Sequence, residues 1–387
     1  MQPSFKSVIE DSLRNKYFLY YSDTSIYCKE VSKDGVSKDT IIASNVIDNF
    51  LVAIDLQDRV YVACQNKEKR VFLFVYIKGE WKLEHTLSIQ GSGNIKLLSL
   101  FGINKTLSII YAKEMTIANF YNIYHLYKSS DSDSNYANNT WKKNNICEMY
   151  AEDINSSYSS IMSKEGALHI VCEWFDGSNY LINYCWFDNL DESWKKKVVA
   201  TLFKKDIILS ILYEDSLLHL LCYTYEDEAS AIFYYVKKEG SDKDFEFCCV
   251  DKINTEMKVS PYFHIEGSII YLSWILDNSF YQYALNKEQK IWNKKLSSVI
   301  PANELIQLIE YFRNRKGKYW IIKKTYFTID YKYNINLPYF KDRIKNNINS
   351  SISTEKTLVK NADGDLISYI PYLIDEVRSM SQMIKNI

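Results

Sequence analysis

The sequence predicts an all-β protein built on a repeat of about 50 residues, and three observations carry that prediction. Aromatic residues are abundant, with 32 Tyr, 18 Phe and 8 Trp in 387 residues. Such rings favour the half-buried, pleated surface of a strand. A tryptophan followed by lysine recurs at near-regular spacing, and short apolar runs lie between these tryptophans in a constant order.

The tryptophan segments read EWKLEHTL, TWKKNNIC, SWKKKVVA and IWNKKLSS, with the rings at Trp81, Trp141, Trp194 and Trp292. Phe245, in DFEFCCVD, fills the long gap, and the steps are then 60, 53, 51 and 47 residues. A Tyr/Phe-rich run precedes each site, at 70–77, 119–127, 179–187, 230–238 and 279–285. Before it comes a run ending in a small or polarisable residue, at 59–64, 168–172, 218–222 and 269–273. A further run lies at 49–55, 96–102, 157–163, 207–213 and 260–266. Four strands per unit, joined by polar turns, make one blade of a β-propeller. Residues 5–44 supply a first unit, and 304–335 supply three strands of a last one. The units start near 5, 49, 96, 157, 207, 260 and 304, which gives seven four-stranded blades; six blades with an irregular closure is the alternative.

At these residues the chain resembles seven-bladed β-propellers as a broad class, over about residues 5–335. The Gly-His and Trp-Asp pairs of WD40 repeats are missing, as are the paired glycines of kelch repeats and the Asp-box loops of sialidase-like propellers. The resemblance therefore implies an architecture and no particular activity. The repeated Trp and its lysines read structurally. The fourth strand of a blade is an edge, where Lys discourages pairing with another chain and Trp covers the gap between blades.

Composition narrows the function. With 47 basic and 48 acidic residues the net charge is −1, which argues against a nucleic-acid binder. Lys6, Glu10, Asp11, Arg14 and Lys16 interrupt the N-terminal segment, and no run approaches the ~18 apolar residues of a membrane span. A soluble, cytoplasmic chain is expected. The eight cysteines form no CxxC pair and sit in apolar runs, so they read as reduced core residues. His169 and His219 occupy matching places, LHIVC and LHLLC, and read as repeated packing residues. No HExxH, P-loop, GxGxxG or GxSxG motif is present. Neither a metal nor a cofactor is expected, nor is catalysis.

Candidate binding residues lie in three loops expected between the second and third strands of consecutive units. They read EWFDGSN, YTYEDEA and WILDN, and contribute Trp174, Phe175 and Asp176; Tyr223, Tyr225, Glu226 and Asp227; and Trp274 and Asp277. Aromatic area beside carboxylates suits a basic peptide or a sugar.

After residue 338 the pattern changes. Residues 339–365 read as a polar linker, and 366–387 as a short amphipathic helix. Leu366, Ile370, Leu373, Val377, Met380, Ile384 and Ile387 follow the 4-3 spacing of a heptad seam, with Pro371 suited to a first helical turn. The seam is expected either to dock on the propeller or to pair with another helix, including a second copy, and the chain reads as a possible piece of a longer coiled-coil protein. The leading expectation is a non-catalytic protein-interaction scaffold. The alternatives are a glycan-binding, lectin-like propeller and a glycosidase-like propeller.

Overall fold

A computed structural model describes residues 4–336 except 36, 78, 90–92, 104–105, 129–140, 164, 189–190, 203–206, 215, 227–228, 242, 254–260, 267–268, 277–278, 287–290, 300–305, 315–319, 330–332 and 334. The expected linker and helix, with the seam residues Leu373, Val377, Met380, Ile384 and Ile387, lie outside the described residues. Every regular element described is a strand. The first four are β1–β4: Ser7–Glu10, Lys16–Ser22, Ser25–Val31 and Ser37–Ser44. Five four-stranded antiparallel sheets follow in chain order. They are β5–β8 (Phe50–Ile54, Val60–Gln65, Arg70–Ile77, Glu80–Ser88), β9–β12 (Ile95–Ile103, Thr106–Glu114, Phe120–Lys128, Lys142–Tyr150) and β13–β16 (Tyr158–Met162, Leu168–Phe175, Tyr180–Asp188, Ser193–Leu202). The last two are β17–β20 (Ile207–Glu214, Leu217–Glu226, Ala229–Lys238, Glu246–Ile253) and β21–β24 (Tyr262–Glu266, Ile269–Leu276, Ser279–Asn286, Ile291–Val299). The chain ends its sheets with β25–β27 (Ile306–Asn314, Trp320–Ile329, Ile335–Asn336).

The blades number six, which corrects the expectation of seven. The first and last units of the sequence repeat are halves of one sheet, in the order β27-β26-β25-β1-β2-β3-β4. β1 pairs antiparallel with β2 on one side and parallel with β25 on the other, in the register Ser7↔Glu310 to Glu10↔Arg313. Both edges of β1 are thereby used, and the described residues form no separate seventh sheet. Side chains reinforce the join: Gln307 Oε1 accepts from the Phe5 N–H at 2.9 Å, and the Tyr311 hydroxyl donates to Glu10 at 2.7 Å. The sequence shows two ends each lacking the repeated Trp, and only long-range pairing joins them.

A shared irregularity supports the count. In each sheet the pairing of third and fourth strands slips once, at Ile26/Tyr27, Leu73/Phe74, Ile123/Tyr124, Ile182/Asn183, Tyr234/Tyr235 and Gln282/Tyr283. A bulge adds twist and bends the outer strand, so one in every blade gives each the same curvature.

First strands of adjacent blades lie against one another, as β5 against β9 and β13 against β17. Second strands are the most buried, and β6 is buried at all six positions. Fourth strands are largely exposed, and Lys82, Lys142, Lys143, Lys195, Lys196 and Lys197 stand exposed along them. The core is a series of apolar seams, one between each pair of successive blades from the first to the sixth. The rim aromatics behave as expected and cover the seams. Trp81 sits 5.1 Å from the Tyr76 ring of its own blade, both against the seam with the first blade. The others pack onto the preceding blade: Trp141 lies edge-on to His85 at 5.6 Å, Trp194 to His125 at 5.4 Å, and Phe245 to Tyr184 at 5.0 Å. The side chain of Trp292 is outside the description.

Candidate functional site

The three expected loops are shorter than the sequence implies, because the second strands run on through them. Trp174 and Phe175 end β14, Tyr223 and Tyr225 lie within β18, and Trp274 lies within β22. Pairing fixes which positions correspond. The slip between third and fourth strands falls at Ile182/Asn183 in the fourth blade and at Gln282/Tyr283 in the sixth, and Glu173 pairs with Ile182 as Ser273 pairs with Gln282. Trp174, opposite Leu181, and Trp274, opposite Tyr281, are therefore equivalents on the same face of their strands. Tyr223 and Trp274 are buried, at 1% and 3% exposure, whereas Trp174 is half-buried.

The expected three-blade sector is narrowed accordingly. Trp274 stacks on Tyr281 and Tyr283, with centroids at 5.6 and 5.3 Å, within the seam between the fifth and sixth blades. Tyr223 is in the same seam, and half-buried Tyr225 packs against it. These rings pack in the seam between the two blades. The Glu226 side chain, Asp227 and Asp277 lie outside the described residues.

Trp174, Phe175 and Asp176 come together with residues the sequence reading missed. The Trp174 ring meets Phe120 edge-on at 5.5 Å, and Phe120 meets Tyr150 at 5.2 Å. Tyr150 lies 5.7 Å from Phe175 and 6.2 Å from Tyr180, and Phe175 and Tyr180 are 4.9 Å apart. All five rings are half-buried. They form a continuous aromatic patch where the third blade (β9–β12) meets the fourth (β13–β16). Phe120 opens β11 and Tyr150 closes β12, and the two are directly paired. Phe175 closes β14 and Tyr180 opens β15, and these are paired too. The patch therefore rests on four strand ends. Its signal in the sequence was an aromatic at a strand terminus, which an alignment built on Trp alone passes over.

The turn beneath the patch is fixed. Asp176 Oδ1 accepts the backbone N–H of Ser178 at 2.8 Å and of Asn179 at 2.7 Å, and Gly177 takes φ +99°, a conformation suited to glycine. The Asn179 and Ser178 N–H groups hold the Asp176 carboxyl below its ordinary range. The exposed carboxylates Glu152 and Asp153 follow Tyr150; the Tyr150 hydroxyl donates to Glu152 at 3.2 Å, and Asp153 caps its own turn through the Asn155 N–H at 3.0 Å. Rigid apolar rings edged by acceptors provide area for a ring-shaped ligand and directed partners for its hydroxyls.

The two matched histidines are repeat equivalents, as expected. His169 Nδ1 and His219 Nδ1 each lie 2.8 Å from a tyrosine hydroxyl, Tyr184 and Tyr234, with the ring pairs stacked at 9°. His169 also reaches Glu239 across the seam at 3.2 Å. Burial pushes the Glu239 carboxyl up, but hydrogen bonds from His169, Ser163 and Tyr213 pull it down to about 2. This buried set ties the fourth blade to the fifth.

No family model and no curated protein sequence matches the chain. Solved structures do. A polysaccharide lyase described as an ulvan lyase of family PL25, bound to -[GlcA(1-4)Rha3S]-, superposes with a TM-score of 0.52 at 9% identity, covering 84% of this chain and 94% of that one. A protein from Lactobacillus plantarum gives 0.50 at 13% identity, over 77% and 85%. A fucose-specific lectin from Aleuria aurantia gives 0.46 at 12%, over 78% and 99%. At such identities the likeness is one of fold. It supports an all-β propeller, and the leading expectation of a protein-interaction scaffold is corrected: the structure matched at 0.52 is described as a polysaccharide lyase bound to a sugar chain, not as a scaffold.

Proposed function

We propose that this propeller binds carbohydrate through the patch formed by Phe120, Tyr150, Trp174, Phe175 and Tyr180. The observation that carries the reading is the contact between these five half-buried rings at one seam, with exposed carboxylates beside them. A pyranose has an apolar C–H face and a rim of hydroxyls. Fixed rings take the face, and Glu152, Asp153 and Asp176 are placed as acceptors for the rim. The rings hold one another, so little side-chain freedom remains to be lost on binding. The propeller likeness to a fucose-specific lectin and to a lyase holding a rhamnose- and glucuronate-containing chain agrees with a sugar ligand and supplies the first probes.

The test is titration calorimetry with fucosylated oligosaccharides and with a uronic acid–rhamnose oligosaccharide, followed by Trp174→Ala and Tyr150→Ala. Each substitution is expected to weaken binding at least ~10-fold, the ~1.4 kcal/mol that one lost ring contact represents. Equal affinity in the wild type and both variants would reject the patch. No binding to any neutral or acidic glycan on a broad array would reject the reading itself.

A further inference from the structure

We propose that Cys147, Cys172 and Cys185 form a metal site, a set of three sulfur ligands drawn from two blades for a soft monovalent cation of the copper(I) class. Their Sγ atoms all lie within 4.8 Å of one another, and those of Cys147 and Cys172 are 3.4 Å apart. A triangle of this size puts each sulfur roughly 2–3 Å from its centre, close to the ~2.3 Å of a metal–thiolate bond. Cys147 lies on β12, Cys172 on β14 and Cys185 on β15, so the site joins the third blade to the fourth.

The surroundings suit a soft ion. All three cysteines are buried in one apolar seam with Ile110, Ile123, Met149 and Ile170. Among the described residues no further His, Cys, Asp or Glu joins the group. Structural zinc closes with four ligands, whereas three sulfurs match a softer ion of lower coordination. Binding copper(I) forms three Cu–S bonds and expels the thiol protons to solvent; the copper stays monovalent and no sulfur is oxidised. Cys28, Cys64 and Cys222, in other seams, join no such group.

The triad is two residues from the aromatic patch. Cys172 and Trp174 share a face of β14, so an ion here would clamp the seam that positions Trp174 against Phe120. The site stands on its own geometry, whether or not the patch binds sugar.

The experiment refolds the full chain anaerobically with copper(I) supplied from a competing chelator, desalts it, and measures copper per chain, thiolate-to-copper absorption in the ultraviolet and thermal midpoint. One retained copper, a charge-transfer band and a raised midpoint are expected in the wild type. Cys172→Ala and Cys185→Ala should lose all three, and Cys222→Ala, equally buried elsewhere, should keep them. Circular dichroism identifies a variant that fails to fold, and wild-type stoichiometry decides the matter without any variant. A reduced wild type that retains no copper against the chelator overturns the proposal. So does a folded Cys172→Ala protein that retains as much as the wild type.

Discussion

Trp194 donates its indole N–H to Nδ1 of His125 at 3.2 Å, across the seam between the third and fourth blades. The bond assigns the tautomer, since the accepting Nδ1 is unprotonated and the proton is on Nε2. Burial holds the His125 imidazole down to about 3. It is therefore neutral in the folded protein wherever an unfolded His, near 6.5, takes up a proton. The bond resembles the rim contacts of Trp141 and Phe245 in placing an aromatic of one blade on the blade before it.

The first prediction follows from the sign of that shift. The unfolded chain binds the extra proton below pH ~6.5, so His125 leaves stability unchanged above that value and reduces it as pH falls toward 3, by about 1.4 kcal/mol per pH unit. Between pH 7 and pH 5 this one group should cost about 2 kcal/mol. Urea unfolding at the two pH values measures it. His125→Gln, which can still accept from Trp194 but does not titrate, should show a smaller loss by about that amount. An unchanged pH dependence would mean that His125 is charged in the fold.

Trp174 and Trp274 should respond differently to alanine. Trp274, at 3% exposure and stacked on two tyrosines, should cost about 3–5 kcal/mol of stability. Trp174 is half-buried at a strand end and should cost about 1–2 kcal/mol while weakening sugar binding at least ~10-fold. Denaturant midpoints and calorimetry on the same two variants check both halves.

Closure of the propeller rests on β1 and β25. Gln307→Ala removes the acceptor of the Phe5 N–H, a buried group at the join, and should destabilise by about 1–3 kcal/mol. Gln307→Glu keeps an acceptor and should restore part of the loss. If amide hydrogen exchange in β1 were unaffected by Gln307→Ala, the two ends would not depend on this contact.

Glu239 gives a second pH signature, at lower pH. Its carboxyl is depressed in the fold, so it contributes stability above the ordinary value of 4.5, and that contribution is lost as pH falls from 4.5 toward 2. Glu239→Gln should flatten the stability profile in that interval and leave it unaltered near pH 7 apart from a constant offset. Acid titration followed by tryptophan fluorescence measures the difference.

Local chemistry made much of this molecule legible. The order of strands within a blade, the positions of the rim aromatics and the equivalence of His169 with His219 all follow from spacing and alternation along the chain. The exposed lysines of the fourth strands did too, because an edge must discourage further pairing.

What the sequence by itself determined is the repeat: each unit carries its own strands, turns and covering ring, and neighbours in the chain are neighbours in space. Tertiary structure decided everything that depends on non-local pairing or on what packs around a side chain. Six blades replace seven because β1 finds β25 some 300 residues away, Ser7 opposite Glu310, and no local pattern records that pairing. Trp174 is half-buried in the patch and Trp274 is in the core although they are equivalent in register, because their neighbours differ: Phe120 meets Trp174, whereas Tyr281 and Tyr283 stack on Trp274. Cys172 and Cys185 are neighbours through the β14–β15 pairing, and Cys147 joins them only because the third blade packs on the fourth.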